Sequence, residues 1–297
     1  MSNNNKQNFF AVFGLLFGAV CWGIIWYPYR LMDEAGFSGV VSSFYTYSMA
    51  ILIGCVLFAR HWRGVFALPK SAIALCLAAG WTNLSYVLAV IDGEVMRVML
   101  LFYLSPLWTL ILAHFWLKEP IYRQGLIAIV ISLVGALIML HDFSSNNWPI
   151  PRNQAEWLAL SSGIGFSLTN VITRHSTHLS IAAKSMLVWV GVASMALILL
   201  PMMGQNLPAM SAFNATQWQL MLLIAALLTA ATIFVQYGIT KITAIRASVL
   251  FLFELVVAAV ASYYLANEAM TWNEWLGGAL IIAAALISAT QSSVHHE

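Results

Sequence analysis

Apolar runs of about 20 residues recur along this chain, separated by short clusters of charged residues, Pro, Gly and Asn. A helix that crosses a bilayer needs about 20 apolar residues at a rise of about 1.5 Å each. The pattern predicts ten such helices: 9–32, 38–60, 71–90, 95–117, 121–141, 156–175, 180–202, 217–238, 245–266 and 271–291. Two polar breaks, 142–155 and 203–216, are longer than the rest. The first, DFSSNNWPIPRNQA, sits at the midpoint and reads as a linker. It divides the chain into 1–142, a linker 143–155, and 156–297.

The halves echo each other. At an offset of 149, RVMLLFYLSPLWTLILAHFWLKE (97–119) falls on RASVLFLFELVVAAVASYYLANE (246–268), matching Arg97 to Arg246, Leu101 to Leu250, Phe102 to Phe251 and Glu119 to Glu268. Ser105 falls on Glu254. At an offset of 144 the first helix meets the sixth, Trp22 on Phe166, Trp26 on Asn170 and Arg30 on Arg174. The offset of 149 also places Ala128 on Gly277 and Gly135 on Ala284, small residues that let the fifth and tenth helices approach closely. Five helices per half is odd, so the second half enters the membrane from the opposite side. The expected fold is an all-α polytopic membrane protein, with ten transmembrane helices in two inverted five-helix repeats.

Composition agrees. Hydrophobic residues make up 61% of the 297 residues, charged residues 8%, and mean hydropathy is +0.84, far from the roughly 25% charge of soluble domains. A net charge of +2 points to no nucleic-acid partner. With the N-terminus inside, Lys and Arg divide ten inside to three outside (Arg30, Arg97, Arg152). Both termini are then cytoplasmic, and the polar MSNNNKQN start, without a small-residue cleavage site, predicts no removed signal. Cys21, Cys55 and Cys76 lie in apolar runs without CxxC spacing and read as buried hydrophobes.

Trp22-Gly23 in the first helix, Ser105-Pro-Leu-Trp108 with Leu117-Lys-Glu119 in the fourth, and Phe253-Glu254 with Asn267-Glu268 in the ninth resemble the EamA branch of the drug/metabolite transporter superfamily. The resemblance covers the whole chain. Members often carry Glu-Pro or a similar pair in both the fourth and ninth helices; here one site is Ser105-Pro106 and the other Glu254-Leu255, so the halves are chemically unequal. The resemblance implies a bacterial inner-membrane carrier for small organic solutes. Many members export amino acids or cationic compounds, and the aromatic amino-acid exporters are the nearest likeness.

Glu254 is the leading candidate for substrate binding and proton coupling. It stands about 12 Å of helix beyond Arg246 and about 21 Å before Glu268, well inside a core of roughly 30 Å. A carboxyl there keeps its proton when desolvated and ionises beside a bound cation or in a water-filled cavity, a difference that can exchange a proton for a substrate. Gly163, Ser167, Asn170 and Arg174 form one polar stripe on the sixth helix; Thr229, Thr232 and Gln236 form another on the eighth; Asn83 and Tyr86 lie on the third. Asn170, Gln236, Asn83 and Tyr86 are candidate cavity residues, against the alternative of interhelical hydrogen bonds. Trp22, Trp26, Tyr103 and Trp81 are candidate rings for an aromatic or cationic substrate. Trp62, Trp116, Trp148, Trp157, Trp218, Trp272 and Trp275 read as interface belt. Arg30 and Arg97 form an outer gate with nearby acids or pair with them at the surface. Pro28 and Pro106 are expected to kink or break their helices beside a cavity. His114 reads as a satisfied buried imidazole, and His175 and His178 lack the further ligands a metal needs.

No nucleotide-binding motif, cofactor site or paired acid is visible, which argues against ATP use and catalysis. The leading function is a secondary transporter of small organic metabolites, an exporter of amino acids or related aromatic or amine compounds, as a monomer or homodimer in the lipid bilayer. Organic-cation or drug efflux is the second reading; a channel or scaffold is the third.

Overall fold

The computed structural model describes residues 3–59, 70–93, 95–140, 151, 153–265 and 272–290. Each predicted span holds helix among its described residues: α1 (Asn3–Glu34), α2 (Gly39–Leu57), α3 (Lys70–Asp92), α4 (Val95–Phe102), α5 (Ser105–Leu117), α6 (Arg123–Leu140), α7 (Gln154–His175), α8 (Ile181–Met202), α9 (Ala215–Lys241), α10 (Ala244–Phe251), α11 (Phe253–Leu265) and α12 (Trp272–Thr290). The fourth and ninth spans, expected as single helices, are each two. Among the described residues, six stretches are long and apolar enough to cross a bilayer. α7 has the length but carries the polar stripe, and α5, α6 and α12 offer shorter apolar segments.

Physical causes for the boundaries are local. Ser38, Asn153, Ser180, Asn214 and Thr243 cap α2, α7, α8, α9 and α10 by accepting from backbone N–H groups of the first turn, groups that have no helical partner. Pro106 lies in the first turn of α5; its ring would collide with the Phe102 carbonyl in a continuous helix, so the chain breaks at Tyr103–Leu104. Pro28, in contrast, sits inside an unbroken α1. The ninth span breaks at Leu252 without a proline, through tight bonds from Leu252 N–H to Val249 O (3.1 Å) and Leu255 N–H to Leu252 O (3.1 Å). The helix starts fall 149 residues apart at 95 and 244 and at 123 and 272, as do the helix ends at 102 and 251.

Helices of one half pack chiefly on helices of the other: α3 on α7 and α8, α1 on α9, α2 on α8, and α6 on α12. The largest core runs from Ile25, Tyr47 and Leu84 across to Trp189, Val192 and Leu228. The small residues on α6 and α12 serve close approach, since a Cβ at Gly135 would stand 2.8 Å from the Gly277 carbonyl. The 203–214 segment folds over the ends of α1 and α2, burying Phe213 against Phe37 and Tyr45 at ring distances of 4.3 and 4.9 Å. Gln205 accepts from the Ser38 hydroxyl (2.6 Å) and Pro208 O from the Tyr45 hydroxyl (2.5 Å). Outward-facing Phe9, Leu52, Val56, Phe115 and Trp272 give the bundle an apolar exterior, as lipid contact requires. Glu268, Arg152, Trp62, Trp148 and most of the 143–155 linker lie outside the described residues, as does the Arg97 side chain.

Candidate functional site

One cavity lies in the middle of the bundle, with side chains from α1, α2, α3, α4, α7, α8, α9 and α11 in its wall. It holds about 830 Å³ of atom-free space, solvent-facing volume included. Ala79 and Leu228, Asn83 and Thr232, Tyr86 and Val235, and Val87 and Gln236 all line it and are 149 residues apart. Trp22 and Phe166, and Ile25 and Thr169, line it 144 apart. The scaffold is thus built from matched positions carrying different chemistry.

Six of the nine candidates meet here: Glu254, Asn170, Gln236, Asn83, Tyr86 and Trp22. Trp26, Tyr103 and Trp81 do not line the cavity. α1 turns Trp22, Ile25 and Tyr29 toward it, a spacing of three and four that rotates Trp26 away. Trp26 is buried beside Tyr27, and Arg30 stacks over its ring at 5.1 Å. Trp81 points from α3 to α7, where its indole N–H donates to Ser161 (3.2 Å). Tyr103 sits in the break between α4 and α5, behind the wall, its hydroxyl beside the Glu254 carboxyl without a hydrogen bond of good geometry. Tyr29, Tyr47, Phe102, Phe166 and Thr169 are lining residues beyond the candidates.

Glu254 occupies the first turn of α11, just past the break, and is 3% exposed. A carboxylate at a helix N-terminus meets the positive end of the helix dipole. Gly23 explains the Trp-Gly pair: a Cβ there would stand 2.8 Å from Val257 and 3.0 Å from the Glu254 carbonyl. Glycine therefore lets α1 touch α11 beside Glu254 while Trp22 enters the cavity. Trp22 packs against Phe166 and Phe251 at 6.0 and 5.5 Å, and Phe102 against Tyr86 at 5.1 Å, an aromatic wall.

Polar groups divide into satisfied and unsatisfied. Tyr47 donates to Asn83 Oδ1 (2.7 Å), and Asn83 Nδ2 to Ala79 O (2.9 Å). Asn170 Nδ2 and Gln236 Oε1 are buried without a partner; such groups are costly unless a ligand or water meets them. The rest of the α7 stripe is engaged. Gly163 lies against the Phe102 carbonyl, Ser167 donates to Ser105 O (2.8 Å), and Arg174 Nη1 to Thr240 O (2.5 Å).

A polar junction follows one turn beyond Asn170 and Gln236. Lys118 adopts a left-handed cap (φ 55°) that turns Glu119 under α10. Glu119 is 9% exposed; its oxygens accept from the Ala244 N–H (3.1 and 3.2 Å) and face Arg174 at 3.7 Å. Burial pushes its carboxyl above the ordinary value, against the opposing pull of the Ala244 N–H and the Arg174 guanidinium. Lys184 Nζ donates to Thr240 Oγ1 (3.0 Å), which donates to Gln236 O (2.7 Å). Glu119 is not among the expected site residues; its repeat match to Glu268 and the Leu117-Lys-Glu119 motif are its sequence signals. His114, expected to be buried, is exposed, with Nδ1 3.2 Å from the Glu119 carbonyl. His178 Nε2 meets the Ser71 hydroxyl at 3.4 Å, and no group of His, Cys, Asp and Glu able to hold a metal occurs among the described residues.

An apolar exterior and helices of spanning length define a multi-pass membrane protein, and two broken helices flank its central cavity. Residues 9–141 and 153–290 each match the profile of the EamA-like transporter family, and the chain belongs to that family. It is 25% identical over 266 residues to a riboflavin transporter of Brucella anthropi, covering 88% of this chain and 91% of that one. It is 24% identical over 228 residues to an uncharacterized transporter of Archaeoglobus fulgidus (76% and 78%). Protein RarD of Salmonella typhi is 25% identical over 130 residues (42% and 44%). A crystal structure with 13% identity superposes with a TM-score of 0.77 over 94% of this chain and 98% of that one, which speaks for the fold alone.

Proposed function

We propose that this protein is a secondary carrier that exports small aromatic or amine metabolites across a bacterial cytoplasmic membrane by alternating access. Its repeats, 1–142 and 156–297, are joined by 143–155 and related by inversion, with both termini cytoplasmic. Aromatic amines and organic cations fall in this class, and amino acids belong to it only where the cavity tolerates their carboxylate. The observation that carries the reading is the cavity: matched positions of both halves line it, two broken helices flank it, and a buried carboxyl enters it. Carriers built from inverted repeats bind their substrate at such an interface, beside discontinuous helices. The double family match, the shared offset of 149 and the pairing of α2 with α8 and α6 with α12 support the repeat.

Glu254 is the proton-coupling residue in this reading. The junction of Glu119, Arg174, Lys184 and Thr240 lies on the side assigned to the cytoplasm and must part for the cavity to open there. The test is flux in proteoliposomes, with and without a pH gradient. Saturable flux stimulated by the gradient is expected, and Glu254→Gln should abolish the stimulation. An unchanged pH profile in that variant removes the proton role; flux that rises linearly with concentration removes the carrier.

A further inference from the structure

We infer that the cavity selects a planar ring that is either uncharged with both a hydrogen-bond acceptor and a donor or cationic, and excludes carboxylates, free amino acids included. This rests on the reading of the cavity as the substrate site. Three independent observations carry it.

The first is the pair of amides. Asn170 is 1% exposed and Gln236 3%, and each has a polar atom without a partner, Nδ2 of Asn170 and Oε1 of Gln236. One is a donor and the other an acceptor. Exchanging oxygen and nitrogen in both amides swaps which residue offers which group and leaves the pocket wanting one donor and one acceptor. A ligand with a carbonyl and an N–H satisfies both, and an analogue lacking either leaves a buried group unpaired.

The second is shape. Trp22, Tyr86, Phe102 and Phe166 supply ring faces and edges on one side of the cavity, a surface that takes a flat ring better than a flexible chain.

The third is charge. Among the described residues lining the cavity no Lys, Arg or His occurs, and Glu254 is the charged type present. The cations one turn away are engaged: Arg174 with Thr240 and Glu119, Lys184 with Thr240. A ligand carboxylate would therefore be desolvated without a counter-ion and would face Glu254, whereas an ammonium gains that carboxylate as partner.

Four probes share one ring and differ in the side group: indole-3-acetamide (neutral amide), tryptamine (cation), tryptophan (zwitterion) and indole-3-acetate (anion). Calorimetric titration of the detergent-solubilised full chain should show the amide and the amine binding at least about 100-fold more tightly than the anion, and at least about tenfold more tightly than tryptophan. In Asn170→Leu the affinity ratio of amide to amine should fall about tenfold; in Glu254→Gln it should rise. Because the first comparison uses the unaltered protein, it stands even where a variant fails to fold. Tryptophan or indole-3-acetate binding within threefold of the amide overturns the inference, as does the absence of binding by all four. Flux of the same probes in proteoliposomes separates this from the carrier reading. Saturable transport of tryptophan at the rate of the amide leaves a carrier and removes the selectivity, and selective binding without transport does the reverse.

Discussion

Removing the Glu119 side chain tests whether the polar junction is held by an acceptor oxygen or by a charge pair. In Glu119→Ala the Ala244 N–H, bonded at 3.1–3.2 Å, becomes a buried donor without an acceptor, a loss of about 1–3 kcal/mol. The negative charge at the start of α10 adds about 0.3–1 kcal/mol. The Arg174 pair spans 3.7 Å, and the arginine side chain is 31% exposed, so screening limits it to about 1 kcal/mol or less. Relief of the carboxylate's desolvation offsets part of this, leaving a net cost of about 2 kcal/mol. Glu119→Gln keeps the acceptor and sheds the charge. Burial outweighs the partners in setting the carboxyl above its ordinary value of 4.5, so losing the charge should cost under about 0.5 kcal/mol. The raised value also fixes a sign. The folded protein holds this proton more tightly than the unfolded chain, so the contribution of Glu119 is fullest below about 4.5 and falls as pH rises through the folded value. Reversible SDS unfolding in mixed micelles, followed by tryptophan fluorescence at several pH values, measures all of this. Equal losses in the Gln and Ala variants, or an Ala variant within about 0.5 kcal/mol of the parent, would refute the reasoning.

Trp22→Leu should weaken binding of an aromatic ligand at least about tenfold while Trp81→Phe leaves it within twofold, measured by titration, because only the first ring lines the cavity. Gly191→Ala drives a Cβ into the Cys76 carbonyl, forcing α8 from α3; the unfolding assay should lose about 2–3 kcal/mol. Lys118→Gly should match or exceed the parent's stability by up to about 1 kcal/mol, and Lys118→Val should lose about 1–2 kcal/mol, since φ is 55° there.

The fold was legible where it depends on local pattern. Hydrophobic length located ten helical spans, with expected starts at 95, 121, 245 and 271 against observed helix starts at 95, 123, 244 and 272. The break at Tyr103–Leu104 announced itself through Pro106. That at Leu252 did not, because it is held by tight backbone bonds and packing rather than by a residue that cannot be helical. Periodicity found Asn170 and Gln236, because polar residues on an apolar helix mark the face turned from lipid. It misjudged Trp26, because helical rotation against neighbours decides which of two adjacent faces looks inward, and that depends on α11 settling on Gly23. The Glu119 junction joins residues more than 50 positions apart, a pairing no local pattern records.

The interlocking of the halves has a consequence for biosynthesis. Chain synthesis delivers α1–α6 to the bilayer well before α7–α12, yet the partners of α1, α2, α3 and α6 are chiefly α9, α8, α7 and α12. During that interval Asn83, Tyr47 and the close-packing surfaces at Gly80 and Gly135 have only lipid or one another to meet. The first half must therefore wait as an unfinished assembly, and it is in this interval, rather than in the mature protein, that the insertion machinery has most to shield.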